Sequence, residues 1–191
     1  MRGRTEPPLL EVADRAQLHA WLEANHATSA GVNLAVSRKG GHATRLTYDD
    51  AIEEAIAFGW IDSTAHPLDA ERHTILFTRR KRAGNWSRSN KDRVARLTAE
   101  GRMRPAGLAA VEAAKADGSW SRLDDVEALI VPADLADALD RSPDAARAFA
   151  SRSESQRKLA LYWIGSAKRE ATRAARIANV VLAAAEGRPL R

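Results

Sequence analysis

Over residues 14–25, Ala16, Leu18, Trp21 and Leu22 recur at helical spacing behind Asp14, an aspartate able to cap the first turn, which predicts a first helix. The period then changes: Val32, Leu34 and Val36 alternate with short or polar residues up to the breaker Gly40 and Gly41, predicting a strand and a turn. Thr47 followed by Asp50 has the form of a capping box. Tyr48, Ile52, Ala55 and Ile56 make one apolar stripe, so a second helix is predicted over 48–58. Gly59 ends it and turns the chain, projecting Trp60 and Asp62 away from the helix axis. Alternation returns with His73, Ile75 and Phe77 on one side and Thr74, Leu76 and Thr78 on the other. This is a strand over 72–79 with apolar groups on both faces.

Gly84 then marks a turn, Ser87 can cap a helix over 88–100, and Pro105 suits the first turn of another over 105–117. The short connector 101–104 predicts that these two helices lie side by side. Residues 119–131 are mixed and polar and read as a long surface connection. Pro132 and Pro143 each open a short Ala-rich helical pattern. From Ser153, Leu161, Ile164, Ala167, Ala171, Ala174, Ala178 and Val181 recur every three or four places, predicting one long helix over 153–185 closed by Gly187 and Pro189. The expected fold is α+β: a mostly α-helical single domain, 1–191, with a small antiparallel β-sheet or hairpin and a long C-terminal helix. About 9–187 is expected to be structured, with 1–8 and 188–191 as flexible termini.

Composition narrows the chemistry. With no cysteine, disulfide frameworks and thiolate metal sites are excluded, and a reducing, cytoplasmic setting is expected. Pro7 and Pro8 interrupt the start before an apolar run can form, so no signal peptide is read there, and no stretch approaches the ~20 apolar residues of a membrane span. No nucleophile elbow, phosphate loop or dinucleotide fingerprint occurs. The five histidines, His19, His26, His42, His66 and His73, form no metal-ligand spacing, so neither metal nor cofactor is expected. Ser155 and Lys158 match S-x-x-K without its companion motifs and read as helix surface.

Charge changes the picture more. Residues 79–104 hold ten Lys or Arg against Asp92 and Glu100, whereas 105–165 are net acidic. Such clustering either marks a site for an anionic partner or is a solvated face around a turn. The candidate binding residues are Arg80, Trp86, Ser87, Arg88, Asn90 and Arg93. A second basic stripe adds Lys168 with Arg169, Arg173 and Arg176, the three arginines spaced to share one helix face. The anionic partner could be an acidic protein face, a nucleic-acid backbone or a glycolipid headgroup. In the alternative, enzymatic reading, Trp60 and Trp86 wall a pocket, Asp62 serves as acid or base, and Arg80 holds a substrate anion. The plainer reading of the same residues makes the indoles core and Asp62 a turn acceptor or an ion-pair partner.

The stretches AIAFGWIDS (55–63), NWSRSNKDRVARLTAEGRMRPAGLAAVEAAKADGSW (85–120) and YWIGSAKREATRAARI (162–177) resemble those of the YdeI/OmpD-associated family, the bacteriocin-protection or OmdA proteins, over about 21–187. The chain departs from the family pattern at Arg79, where the family has Pro, at Asn33, where it often has Trp, and at Ala57, where Cys is common. The resemblance implies a bacterial, non-enzymatic stress-resistance protein associated with a porin and with protection against bacteriocins. It implies no catalytic residue.

Overall fold

The computed structural model describes residues 6–38, 41 and 43–190. The start at 1–5, the breaker Gly40, His42 and Arg191 lie outside the described residues. The fold is α+β. The chain packs as two compact units, Met1–Trp120 and Ser121–Arg191. Each has its own hydrophobic cluster.

The first unit runs β1 (Leu9–Leu10), α1 (Arg15–Asn25), β2 (Gly31–Ser37), α2 (Tyr48–Ala57), β3 (Trp60–Pro67), β4 (Arg72–Arg79), α3 (Arg88–Ala99) and α4 (Pro105–Ala116). The four strands form one sheet in the order β1-β2-β4-β3. β4 is antiparallel to both neighbours, and β1 adds in parallel to β2. Asn33 secures that addition: its backbone N–H donates to Pro8 O and its side-chain amide to Pro7 O, both at 2.9 Å. The described part of the expected flexible start is therefore bonded to the sheet. Val32, Leu34, Val36, Ile75 and Phe77 point one way from the sheet into a core shared with Leu18 and Leu22 of α1 and Ile52 and Ile56 of α2. Helix starts follow the sequence: Asp14, Thr47 and Ser87 each accept a backbone N–H from three residues on.

Three expectations are corrected. Trp60 and Asp62 do not project from a helix end but lie on an additional strand, β3, at the sheet edge. That strand shows no apolar alternation because residues 63–67 are exposed. Helices α3 and α4 pack chiefly on α2 rather than on each other. Ser119, placed on a surface connection by the sequence, is fully buried.

The second unit holds α5 (Asp124–Glu127), α6 (Ala133–Asp140), α7 (Pro143–Ala150), α8 (Glu154–Gly165) and α9 (Glu170–Ala185). The single helix expected over 153–185 is thus two. The break follows Gly165: Ser166 Oγ donates back to Trp163 O at 2.9 Å, and Arg176 donates to that same carbonyl and to Ser166 Oγ, stabilising the open C-terminus of α8. The long C-terminal helix is α9, and the face it buries carries Ile177, Val180 and Ala184, whereas Ala171, Ala174 and Ala178 are exposed. Leu190 is buried in the same core, and Arg188 O accepts from Arg152, so the described part of the C-terminal end is also held. Among the described residues no helix is long and apolar enough to cross a membrane.

Candidate functional site at the strand–helix joint

Part of the positive charge counted along 79–104 is matched by carboxylates, at Arg93, Arg96, Arg102 and Arg104. Adjacent Glu53 and Glu54 on α2 are buried, and arginines from three other segments converge on them. Arg15 reaches Glu53 at 2.8 Å and Glu54 at 2.6 Å, and Arg102 reaches Glu53 at 3.0 Å and Glu54 at 3.6 Å. Arg96 pairs with Glu53 as well. His19 Nδ1 lies 2.7 Å from Glu54 Oε2, and its Nε2 lies 2.7 Å from Arg104 Nη2. A guanidinium only donates, so Nε2 accepts and the imidazole hydrogen sits on Nδ1, facing Glu54. Arg93 is paired with Asp49 at 2.7 Å. Sequence reasoning missed this network because two neighbouring glutamates in a helix look like an ordinary solvated face.

Arg80, Lys81, Arg82 and Arg88 are left at the joint between β4 and α3. None of them forms an ion pair with a described residue. Arg80 continues the ladder past the end of β4, its N–H donating to Gly59 O at 2.9 Å. The chain then turns through 81–84, with Ala83 in the left-handed region at φ 56°, and descends to Trp86, which is buried. The Arg80 guanidinium lies 3.5 Å from the Trp86 ring centroid. Trp86 packs on Trp120 at 5.0 Å, and Lys91 and Lys115 lie 5.4 and 5.8 Å from the Trp120 ring on its other contacts. Stacking on an indole face holds a cation where water is scarce. Burial pulls the Arg80 pKa down to about 10, against the opposing charge of Asp62, which leaves it protonated at neutral pH.

The turn is tied to the end of α4 through Asp117, whose Oδ2 accepts from Ala83 N and whose Oδ1 accepts from Ser119 N, both at 2.9 Å. Between turn and helix lies a cavity of about 60 Å³ bordered by Arg80, Lys81, Arg82, Trp86, Asp117 and Ser119. Ser119 and Asp117 were not among the residues the sequence singled out. A buried serine just beyond a helix-ending glycine gives no signal of its own.

The remaining candidates divide as follows. Ser87 and Asn90 serve the cap of α3, Ser87 Oγ accepting Asn90 N at 3.4 Å, and Asn90 Oδ1 accepts from Arg93 at 3.5 Å. Asp62 accepts the Tyr48 hydroxyl at 2.8 Å; burial and then this carboxylate push the Tyr48 pKa up to about 12. Trp60 is wholly buried, edge-on to Trp21 at 5.9 Å, with its indole N–H on His26 O. The four-residue pocket of the enzymatic reading is therefore not formed: Trp60 is core, and neither it nor Asp62 borders the cavity beside Arg80 and Trp86.

The second basic stripe belongs to the second unit. Lys168 and Arg169 are exposed at the helix break, and Arg176 is committed to Trp163, whose ring centroid it approaches to 5.1 Å. Arg173 makes a two-pronged pair with Asp134 at 2.6 and 2.8 Å. That hydrogen-bonded guanidinium holds the Asp134 carboxyl below its ordinary value. With the folded-state pKa depressed, the stabilisation is complete above pH ~4 and is lost as pH falls through the lower folded value. Both groups are partly exposed, so Asp134→Asn should cost at most about 1 kcal/mol at pH 7. The difference from the unmodified chain should shrink as pH falls below ~4 and close once pH passes below the lowered folded-state value, in acid unfolding followed by far-UV circular dichroism.

Residues 10–110 match the model of a domain of unknown function (DUF8412), and residues 128–187 match the model described as bacteriocin-protection, YdeI or OmpD-associated (OmdA). No curated protein and no solved structure matches the chain. The first two of the three resembling stretches thus fall in, or mostly in, the first match, and YWIGSAKREATRAARI falls in the second. Residues 128–187, in the second unit, are similar to the YdeI/OmpD-associated model, and the chain belongs to the DUF8412 domain family, whose model covers more than half its length.

Proposed function

We propose that the first unit is a binding module, not a catalyst, and that it engages an acidic polypeptide face through the joint between β4 and α3. The observation that carries this reading is the set of cations left without carboxylate partners there, Arg80, Lys81, Arg82 and Arg88, when Arg93, Arg96 and Arg102 nearby are neutralised. The start of α3 supports it. A helix N-terminus favours acidic residues, yet the first turn of α3 has none and begins with Arg88. Positive side chains at the positive end of a helix are a local conflict, of the kind that marks a functional surface rather than a stabilising one. Nucleic acid is a poorer fit because Trp86, the indole stacked under Arg80, is buried and offers no open face to a base. The bacteriocin protection in the matched family's name is compatible with a module that acts on an acidic partner.

Titrating the full chain with fluorescent poly-glutamate should give saturable binding at low ionic strength, weakening steeply as salt is raised. The variant Lys81→Glu/Arg82→Glu/Arg88→Glu should bind about tenfold or more weakly. The reading fails if poly-glutamate does not bind at low salt, if charge reversal leaves binding unchanged, or if duplex DNA, RNA or anionic vesicles bind more tightly.

A further inference from the structure

The cavity under the 81–84 turn contains an unusual set of polar groups. Arg80 Nη1 donates to Asn85 O at 3.3 Å, but Nε and Nη2 are buried without a hydrogen-bond partner among the described residues. The stack on Trp86 does not satisfy them. Stacking uses the flat face of the guanidinium, whereas its N–H bonds lie in the plane and point outward from the edge. Nε and Nη2 form the edge whose parallel donors match the two oxygens of a carboxylate. A third orphan, Ser119 Oγ, borders the same cavity, and it too is buried and without a partner. Native proteins seldom bury donors unpaired, so three orphans around one cavity point to a group that completes them.

We propose that this cavity is a carboxylate-binding subsite in which Arg80 Nε and Nη2 grip the two carboxylate oxygens and Ser119 Oγ donates a third hydrogen bond. It rests on the reading above and refines it: the acidic partner places one Asp or Glu side chain here. Size and wall chemistry select that group. About 60 Å³ suits a carboxylate on a short stem, and Ala110, Ala113 and Ala114 of α4 line the cavity with methyl groups that suit the stem's CH₂. Asp117 selects for charge, since its carboxylate beside the cavity is tolerable next to a monoanion and repels a phosphate dianion. Admission requires the 81–84 turn to swing. Its closing bond, Gly84 N to Lys81 O, is long at 3.3 Å, and Ala83 holds a left-handed φ that alanine disfavours. Burial also lowers the Arg80 pKa to about 10, so carboxylate affinity should hold through neutral pH and fall as pH passes 10.

The test is a titration of the full chain with propionate, and separately with phosphate and sulfate, at fixed ionic strength, followed by the NMR signals of Arg80 Nε–H and the Trp86 indole. Propionate should give saturable shifts confined to the joint, and sulfate and phosphate should give weaker ones. Arg80→Lys keeps the charge but loses the fork, and should weaken propionate by about tenfold. Ser119→Ala, the gentler change, should weaken it by about threefold to tenfold with thermal stability retained. A chain whose signals respond equally to all three anions, or to none, overturns the subsite, as does unchanged propionate affinity in Ser119→Ala. Poly-glutamate binding separates the two readings: if it persists, salt-sensitive and lost on charge reversal, while propionate fails, only the subsite is wrong.

Discussion

Replacing Gly107 by alanine is expected to destabilise the first unit by about 3 kcal/mol, lowering its unfolding temperature by roughly 10 °C. Helix propensity alone argues the reverse, because alanine inside a helix is worth up to about 1 kcal/mol over glycine. Packing decides the sign. A Cβ at Gly107 would stand 2.2 Å from Ala57 O and 2.8 Å from Ile56 O, which are backbone atoms at the end of α2 that cannot rotate aside. Ala57 O also accepts Arg104 N at 3.0 Å, so moving α4 outward would stretch the bond that sets its start. The same displacement would loosen Val111 and Ala114 in the core and disturb the alanine wall of the cavity beside Arg80. Intrinsic fluorescence can follow the change, since four of the five tryptophans, Trp21, Trp60, Trp86 and Trp120, lie in the first unit. Gly165→Ala is the control: it is helical, nothing lies within 4 Å of the added carbon, and it should be neutral or slightly stabilising. If both alanine variants behave alike, the close approach of α4 to α2 is not as described.

The contrast between these glycines shows what the sequence reveals and what it hides. Local signals were legible: Thr47 with Asp50, Ser87, Pro105 and Gly59 each act on the backbone within a few residues, and the helices of the first unit begin where those residues indicate. The alanine-rich C-terminal end was not legible in phase. Alanine is nearly indifferent to burial, so Ala167, Ala171, Ala174 and Ala178 continue the period of α8 across a break, and the last three lie on the exposed face of α9, whose buried face Ile177 and Val180 fix instead. The edge strand β3 was missed for a related reason, that a strand solvated on much of its length lacks the alternation that burial imposes. At the joint, the basic residues and Trp86 were visible as a cluster, but their division into neutralised and unmatched cations depends on contacts 39 to 49 residues apart in sequence, as between Arg15 and Glu54 and between Arg102 and Glu53.

Those long-range pairs carry the second large effect. Glu53→Ala is expected to cost the first unit about 3 kcal/mol, the lower end of what breaking a buried ion pair costs. Glu53 is buried, and Arg15, Arg96 and Arg102 all meet its carboxylate, so its removal leaves three guanidinium groups short of one partner. The arginines themselves are 30%, 48% and 32% exposed. Water can therefore rehydrate them in part, which keeps the cost from reaching the top of that range. Glu53→Gln, which keeps the shape and some of the hydrogen bonds, should cost less than half as much. Double-mutant cycles of Glu53→Ala with Arg96→Ala and with Arg102→Ala should each show a coupling of about 1 kcal/mol or more, whereas Arg88→Ala, remote from the carboxylate, should show none. The same variant tests the electrostatic basis of the proposed function. Without Glu53, Arg96 and Arg102 keep only Glu100, and Arg102 also Glu54, so this face gains one net positive charge and poly-glutamate should bind Glu53→Ala more tightly at low salt even as the fold weakens. A loss of stability with no gain in binding would place these arginines away from the surface that meets the partner, and would confine recognition to Arg80, Lys81, Arg82 and Arg88.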